Sequence, residues 1–120
     1  MHISLKPAFL ATYQLLDEYF DNNPNEKLGM LLSDMNPYLF TDSDSADPAT
    51  YNEWEYYAKT AAQGKNLTEN SIFQALISFL NHNEEQYGYQ TETVVKDIQS
   101  PSYQNRWQHI LEKASIITDM

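Results

Sequence analysis

Residues 72–80, IFQALISFL, constrain the fold more than any other stretch of the chain. As an α-helix, this run would be apolar around more than half of its circumference. A helix that is apolar so far round has to be covered by other elements on several sides. The chain has 120 residues, enough for one domain with a real core and too few for two comfortable ones. We therefore predict a single helical domain over residues 1–120, with the helix that contains residues 72–80 at its centre.

Apolar residues at helical spacing predict further helices around this one, so the fold class is an all-α bundle of about five or six helices. Proline and capping residues mark where several of them begin: Asp47 before Pro48, Thr68, Thr91, and Ser100 before Pro101. The predicted helices span residues 5–20, about 25–35, 48 to about 64, 68 to about 88, a short segment after 91, and 101 to about 117.

Gly29 lies inside the second predicted helix, where glycine costs about 1 kcal/mol relative to alanine. Either the helix is weakened at this point, or the glycine allows another part of the chain to approach the backbone closely.

The charge and the cysteine count exclude several classes of function. Seventeen acidic residues against seven basic ones give a formal net charge of -10, which disfavours direct binding to nucleic acid or to an anionic membrane. The chain has no cysteine, so disulfides, thiolate zinc sites and cysteine nucleophiles are excluded. The first twenty residues lack the basic and uninterrupted apolar regions of a signal peptide, and we expect a cytoplasmic protein.

Residues 28–58, which we call the acidic stretch, combine six carboxylates with six aromatic residues and contain no lysine or arginine. Carboxylates without compensating bases, placed beside amphipathic aromatic rings, are typical of a surface that meets a basic partner. The alternative is a solvated acidic loop leading into an ordinary helix whose aromatic residues lie in the core. The six carboxylates are those of Asp34, Asp42, Asp44, Asp47, Glu53 and Glu55.

The acidic stretch comes closest to a metal-binding motif. Asp42, Asp44 and Glu53 match positions 1, 3 and 12 of an EF-hand calcium loop. However, Ala46 stands at the fifth position and Asp47 at the sixth, where the turn requires glycine. We therefore expect no dedicated metal site and no cofactor.

Catalytic motifs do not stand out elsewhere. The three glycines form neither a nucleophile elbow nor a phosphate-binding loop. His82 and His109 have no second histidine at the spacing of a zinc helix, so both are interpreted as surface residues. No catalytic residue is proposed and the protein is not expected to be an enzyme. The alternative function is a small acidic metal-binding protein or an enzyme that uses the carboxylates of residues 42–53.

The run LGMLLSDMNPYLF at residues 28–40, followed by SADPA at 45–49 and then Trp54, resembles small bacterial immunity proteins of polymorphic-toxin systems. The nearest kind is the immunity protein of contact-dependent growth inhibition, and the resemblance covers roughly residues 5–60. It implies a cytoplasmic protein that binds the toxic C-terminal domain of a cognate effector and blocks its active site or an essential surface. Many such toxins are nucleases with basic substrate channels. The resemblance implies no catalytic residue.

These observations lead to one functional hypothesis: a monomeric or weakly dimeric inhibitor that binds a cognate toxin domain one-to-one. Asp42, Asp44 and Glu53 are the predicted charged contacts, and Tyr56 is the predicted exposed aromatic anchor. Trp54 is predicted to lie in the core, because it shares a helix face with Tyr51 and Ala58.

The mismatches to the EF-hand pattern at Ala46 and Asp47 lead to a direct prediction. Calorimetric titration with Ca²⁺ or Mg²⁺ should reveal no stoichiometric site of micromolar or tighter affinity, the range that sensor-type loops reach. A saturable site of that strength, with a melting temperature that rises with metal concentration, would favour the metal-binding alternative.

Overall fold

Six α-helices account for all the regular secondary structure that the described residues form. The computed structural model describes residues 3–36 and 48–119, with side chains at 3–36 and 49–113. The all-α prediction is confirmed. The helices are α1 Leu5–Asn22, α2 Glu26–Met35, α3 Pro48–Ala62, α4 Glu69–Tyr87, α5 Glu92–Ile98 and α6 Pro101–Asp119.

Local signals in the sequence define both ends of α4. The Thr68 hydroxyl accepts a hydrogen bond from the Ser71 backbone N–H at 3.1 Å, and the Ser71 hydroxyl accepts one from the Thr68 N–H at 2.8 Å. This reciprocal capping box satisfies two N–H groups that the first helical turn leaves without partners. At the other end Gly88 adopts the left-handed conformation with φ of 63°, which glycine enters without a Cβ clash. The predicted start and end of the central helix are both confirmed.

The prediction that Thr91 caps α5 with its side chain is wrong. The Thr91 hydroxyl donates to the carbonyl oxygen of Leu80 on α4 at 2.6 Å, and the Thr91 backbone N–H donates to a carboxylate oxygen of Glu84 at 3.0 Å. Thr91 is fully buried, so its hydroxyl needs a partner inside the protein, and it finds one on the neighbouring helix. Thr91, the residue that precedes α5, therefore links α5 to α4 through two hydrogen bonds.

The centre of the core is α4, as residues 72–80 predict. Ile72, Ala75, Leu76, Phe79 and Leu80 are all inaccessible to solvent. α3 packs along α4 and α1 packs along α6, while α1 also contacts α2, α3 and α4. The buried residues of all six helices form one hydrophobic cluster.

Aromatic packing joins α1 to α3. The ring of Phe9 meets the rings of Tyr51 and Trp54 edge-to-face, with centroids 4.9 and 5.2 Å apart. Edge-to-face pairs of this kind add stabilisation beyond the area they bury. Trp54 is fully buried, which confirms its predicted place in the core.

Gly29 allows a close approach between α1 and α2. A Cβ atom at this position would stand 3.3 Å from the ring of Phe20. Of the two sequence-based explanations for this glycine, close approach is therefore the one that applies.

Polar contacts fasten α1 to the C-terminal helices. The guanidinium of Arg106 donates two hydrogen bonds to the carboxylate of Glu18, at 2.6 and 2.5 Å. These bonds hold the pKa of Glu18 below its ordinary value. At the next residue of α1, the Tyr19 hydroxyl donates to the Asp97 carboxylate at 2.7 Å. Burial, followed by this hydrogen bond, raises the pKa of the Tyr19 phenol.

The central position of α4 predicts a large effect of truncating its core. Leu76→Ala should lower the free energy of unfolding by about 2–5 kcal/mol, because a cavity would remain among helices that cannot fully collapse around it. Urea denaturation measures the change. Ser78→Ala, at an exposed position on the same helix, is the control and should change stability by less than about 0.5 kcal/mol. A loss well under 1 kcal/mol for Leu76→Ala would place the core elsewhere.

The Glu18–Arg106 pair predicts a pH-dependent contribution to stability. Because its folded-state pKa lies below the ordinary value of 4.5, the contribution is complete above that pH and is lost as the pH falls through the folded-state pKa. Glu18→Gln should therefore destabilise the protein at pH 7, by less than about 1 kcal/mol for so exposed a pair.

The difference between wild type and Glu18→Gln should vanish near pH 2–3, roughly two units below the ordinary carboxyl pKa. Glu112→Gln, at an exposed position on α6, is the matched control for removing one charge. If Glu18→Gln lowers the free energy of unfolding equally at both pH values, the charge of Glu18 does not contribute to stability.

Candidate functional site

Two of the four predicted partner-binding residues lie in the described part of the chain. Glu53 and Tyr56 are on α3, whereas Asp42 and Asp44 lie outside the described residues, as does the predicted Asp47 cap. Tyr56 is 64% exposed, as expected for an aromatic anchor on the surface.

Five aromatic rings form a continuous row across α3, the end of α4 and the segment that follows it. We call this row the tyrosine face. Tyr56 contacts Tyr57 with centroids 5.2 Å apart, and Tyr57 contacts His82 at 5.6 Å. His82 is 6.3 Å from Tyr87, which in turn is 5.5 Å from Tyr89. The packing of α3 along α4 thus extends Tyr56 into a larger aromatic surface.

Glu53 lies beside this row and is held there. The Tyr87 hydroxyl donates to Glu53 Oε1 at 3.1 Å, and Nε2 of His82 is 3.7 Å from the same oxygen. The Glu53 side chain is only 29% exposed, so it is not the fully solvated carboxylate that an acidic helix face would carry. Its position is set by a residue 34 places further along the chain.

His82 differs from its sequence-based interpretation as a surface residue. Its side chain is 26% exposed and lies between Tyr57, Tyr87 and Glu53. The difference arises because the end of α4 packs on α3. His109, by contrast, is 70% exposed, as predicted.

The Tyr57 phenol keeps its proton at neutral pH. Burial is the main cause that raises its pKa, and the nearby Tyr56, Glu53 and Glu85 raise it further. Since the ionised form is disfavoured, the Tyr57 hydroxyl remains able to donate a hydrogen bond to a partner.

A small cleft opens next to Glu53, between α2, α3 and the end of α4. We call it the Asp34–Glu53 cleft. Its volume is about 140 Å³, and most of its described lining is polar or aromatic. The described lining residues are Asp34, Ala49, Thr50, Glu53, Asn83, Tyr87 and Tyr89.

A larger groove of about 430 Å³ lies at the other end of α3. Apolar side chains of Ile3, Leu5 and Leu67 line it, together with Lys59 and Lys65. Lys59 already pairs with Glu55 at 2.9 Å. This groove contains no residue that the sequence predicted to bind a partner.

Within residues 3–36 and 49–113, no three His, Asp or Glu side chains are grouped closely enough to hold a metal ion. Because Asp42 and Asp44 lie outside these ranges, the expected lack of a metal site stays a prediction. Among the helices that the structure describes, none is long and apolar enough to cross a membrane.

Sequence reasoning missed the contribution of α4 to this surface. His82, Asn83, Tyr87 and Tyr89 are some 30 residues from Glu53 in the sequence, and only the pairing of α3 with α4 brings them together. One local signal was available. Tyr87 and Tyr89 flank Gly88, and a glycine that ends a helix turns the chain back on itself.

Comparison of the chain with protein-family models, with curated proteins and with solved structures finds no match.

Proposed function

We propose that the chain is an immunity-type protein that binds and neutralises the toxic domain of a cognate bacterial toxin in the cytoplasm. The observation that carries the proposal is the tyrosine face, which includes the exposed rings of Tyr56 and Tyr87 and in which the Tyr87 hydroxyl donates to the carboxylate of Glu53. The resemblance of residues 28–54 to such immunity proteins supports the same function.

The tyrosine face has the properties of a protein-binding surface. Tyr56 and Tyr87 are 64% and 52% exposed, high values for large aromatic side chains. Tyrosine offers a large contact area with only two side-chain torsions to immobilise, which makes it a frequent energetic hot spot. Contacts within the row already restrain these rings, which lowers the entropy lost on binding.

The charge of the chain indicates the kind of toxin surface that would fit. With a net charge of -10, the protein is attracted over distance to a positively charged surface. A nuclease presents such a surface in its substrate channel, because that channel binds phosphates. An acidic protein seated there would exclude the nucleic acid both by contact and by charge.

This division between charge and aromatic contact predicts different kinetic effects for two kinds of substitution. Neutralising Asp42, Asp44 and Glu53 (Asp→Asn, Glu→Gln) should lower the association rate constant and flatten its dependence on salt, because long-range attraction acts before contact. Tyr56→Ala should instead raise the dissociation rate constant. Surface plasmon resonance at several salt concentrations measures both, with the cognate toxic domain as the partner.

A matched control neutralises three exposed acids on other helices, Asp21, Glu26 and Glu112. This triple variant carries the same net charge, so it should reduce association less than the first one if the position of the charges matters. If neutralising Asp42, Asp44 and Glu53 changes neither association nor protection of cells from the toxin, the acidic stretch is only a solubilising surface.

A further inference from the structure

We infer that the groove lined by Ile3, Leu5, Leu67, Lys59 and Lys65, which we call the lysine groove, binds a free aliphatic carboxylate of the fatty-acid type. The inference goes beyond the proposed function and does not rest on it, because the lysine groove shares no residue with the tyrosine face. It depends on three properties of the groove: an aliphatic interior, a local positive charge, and a volume that suits one small molecule.

The interior of the lysine groove is aliphatic. Its buried lining residues are Ile3, Ala62 and Leu67, each no more than 9% exposed. Its polar lining residues, by contrast, are all exposed to solvent. The volume of about 430 Å³ lies within the range of about 300–1,000 Å³ that is usual for small-molecule sites. An alkyl chain placed against the buried residues would leave water, while a polar head group could stay on the exposed side.

The lysine groove is a region of positive charge in an acidic protein. The chain has a net charge of -10, yet residues 56–68 contain Lys59 and Lys65 and no aspartate or glutamate. Both lysines line the groove, and its described lining includes no carboxylate. A neighbouring cavity of about 410 Å³ shares Lys65 with the groove and also has no carboxylate in its described lining. An anion in the groove therefore meets lysines without a carboxylate beside it to repel it.

The balance of charge favours a head group with a single negative charge. Lys59 pairs with Glu55 at 2.9 Å, so these two charges compensate each other. Lys65 pairs with no carboxylate within the described part of the chain, which leaves one positive charge uncompensated there. A carboxylate carries one charge and accepts hydrogen bonds from ammonium and amide groups, and the amide of Asn66 also lines the groove. A phosphate monoester, with a charge of about -1.5 to -2, would bring more negative charge than the groove compensates.

The test uses the full chain and sodium octanoate as the probe. Isotope-labelled protein is titrated with octanoate, and the backbone amide resonances of Gly64 and Leu67 are followed by NMR. We expect a saturable shift of both resonances. Hexanoate should bind at least about fivefold more weakly, because it lacks two methylene groups that octanoate would bury. No saturable shift, or equal binding of the two acids, would overturn the inference.

Octylammonium chloride separates local from overall charge, because it has the same alkyl chain and the opposite charge. The net charge of -10 attracts octylammonium to the protein as a whole, whereas the lysine groove favours octanoate. We expect octanoate to shift the Gly64 and Leu67 resonances at lower concentration than octylammonium does. Equal or tighter binding of octylammonium at these residues would refute an anion site in the groove.

One substitution in the groove and a matched control make the test specific. Lys65→Gln removes the uncompensated charge at an exposed position and should weaken octanoate binding about two- to fivefold, the range that an exposed ion pair supplies. Lys96→Gln, at an exposed position on α5, makes the same change in net charge and should leave binding unchanged. Far-UV circular dichroism checks that both variants are folded. Equal octanoate affinity of the two variants would show that Lys65 does not hold the head group and would contradict the inference.

Vesicles of phosphatidylglycerol distinguish a free fatty acid from a membrane surface as the source of the alkyl chain. The acidic protein should not sediment with these anionic vesicles, because overall repulsion opposes its approach. Sedimentation with vesicles that Lys65→Gln abolishes would assign the groove to a lipid surface and overturn the inference of a free ligand.

Discussion

The packing of α3 along α4 is the contact on which the rest of the structure depends. It covers the apolar circumference of α4, buries Trp54, and leaves the opposite side of α3 at the surface. That arrangement brings Tyr57 against His82 and Glu53 within reach of Tyr87. The interaction that stabilises the fold is thus also the one that assembles the candidate binding surface.

Some carboxylates of the protein pair with a basic side chain, whereas Glu53 on the tyrosine face contacts no lysine or arginine among the described residues. Arg106 pairs with Glu18 between α6 and α1, and Lys59 pairs with Glu55 along α3. On the tyrosine face, Glu53 meets a phenol and an imidazole. A neutral phenol can orient a carboxylate but cannot cancel its charge, so the negative field persists outside the protein. Repulsion among carboxylates destabilises the compact state, and burial of the continuous core offsets it.

Those features of the fold that depend on local signals could be predicted from the sequence. Thr68, Gly88 and Pro101 mark helix ends because the geometry of a helix terminus requires a cap, a left-handed residue or a proline at those places. Thr91 could not be assigned in the same way, because a buried hydroxyl takes whichever acceptor the tertiary structure offers, here Leu80. The candidate site likewise has one part that local sequence signals predict and one part that depends on tertiary structure. Exposure of Tyr56 follows from helical periodicity, whereas the contacts of Glu53 depend on a helix that periodicity cannot position.

The hydrogen bond from Tyr87 to Glu53 has a consequence for how the surface would bind. A free glutamate on a helix loses side-chain entropy when a partner fixes it, and that cost reduces the net gain from an ion pair. Here the folded protein has already restrained the carboxylate, and the ring contacts of Tyr87 with His82 and Tyr89 restrain the donor as well. Less entropy is then left to lose when a cationic side chain arrives. A partly buried carboxylate also lies in surroundings of lower effective dielectric, where its attraction for a cation is stronger than at an open surface. Glu53 is therefore suited to a specific contact in the bound complex as well as to long-range attraction.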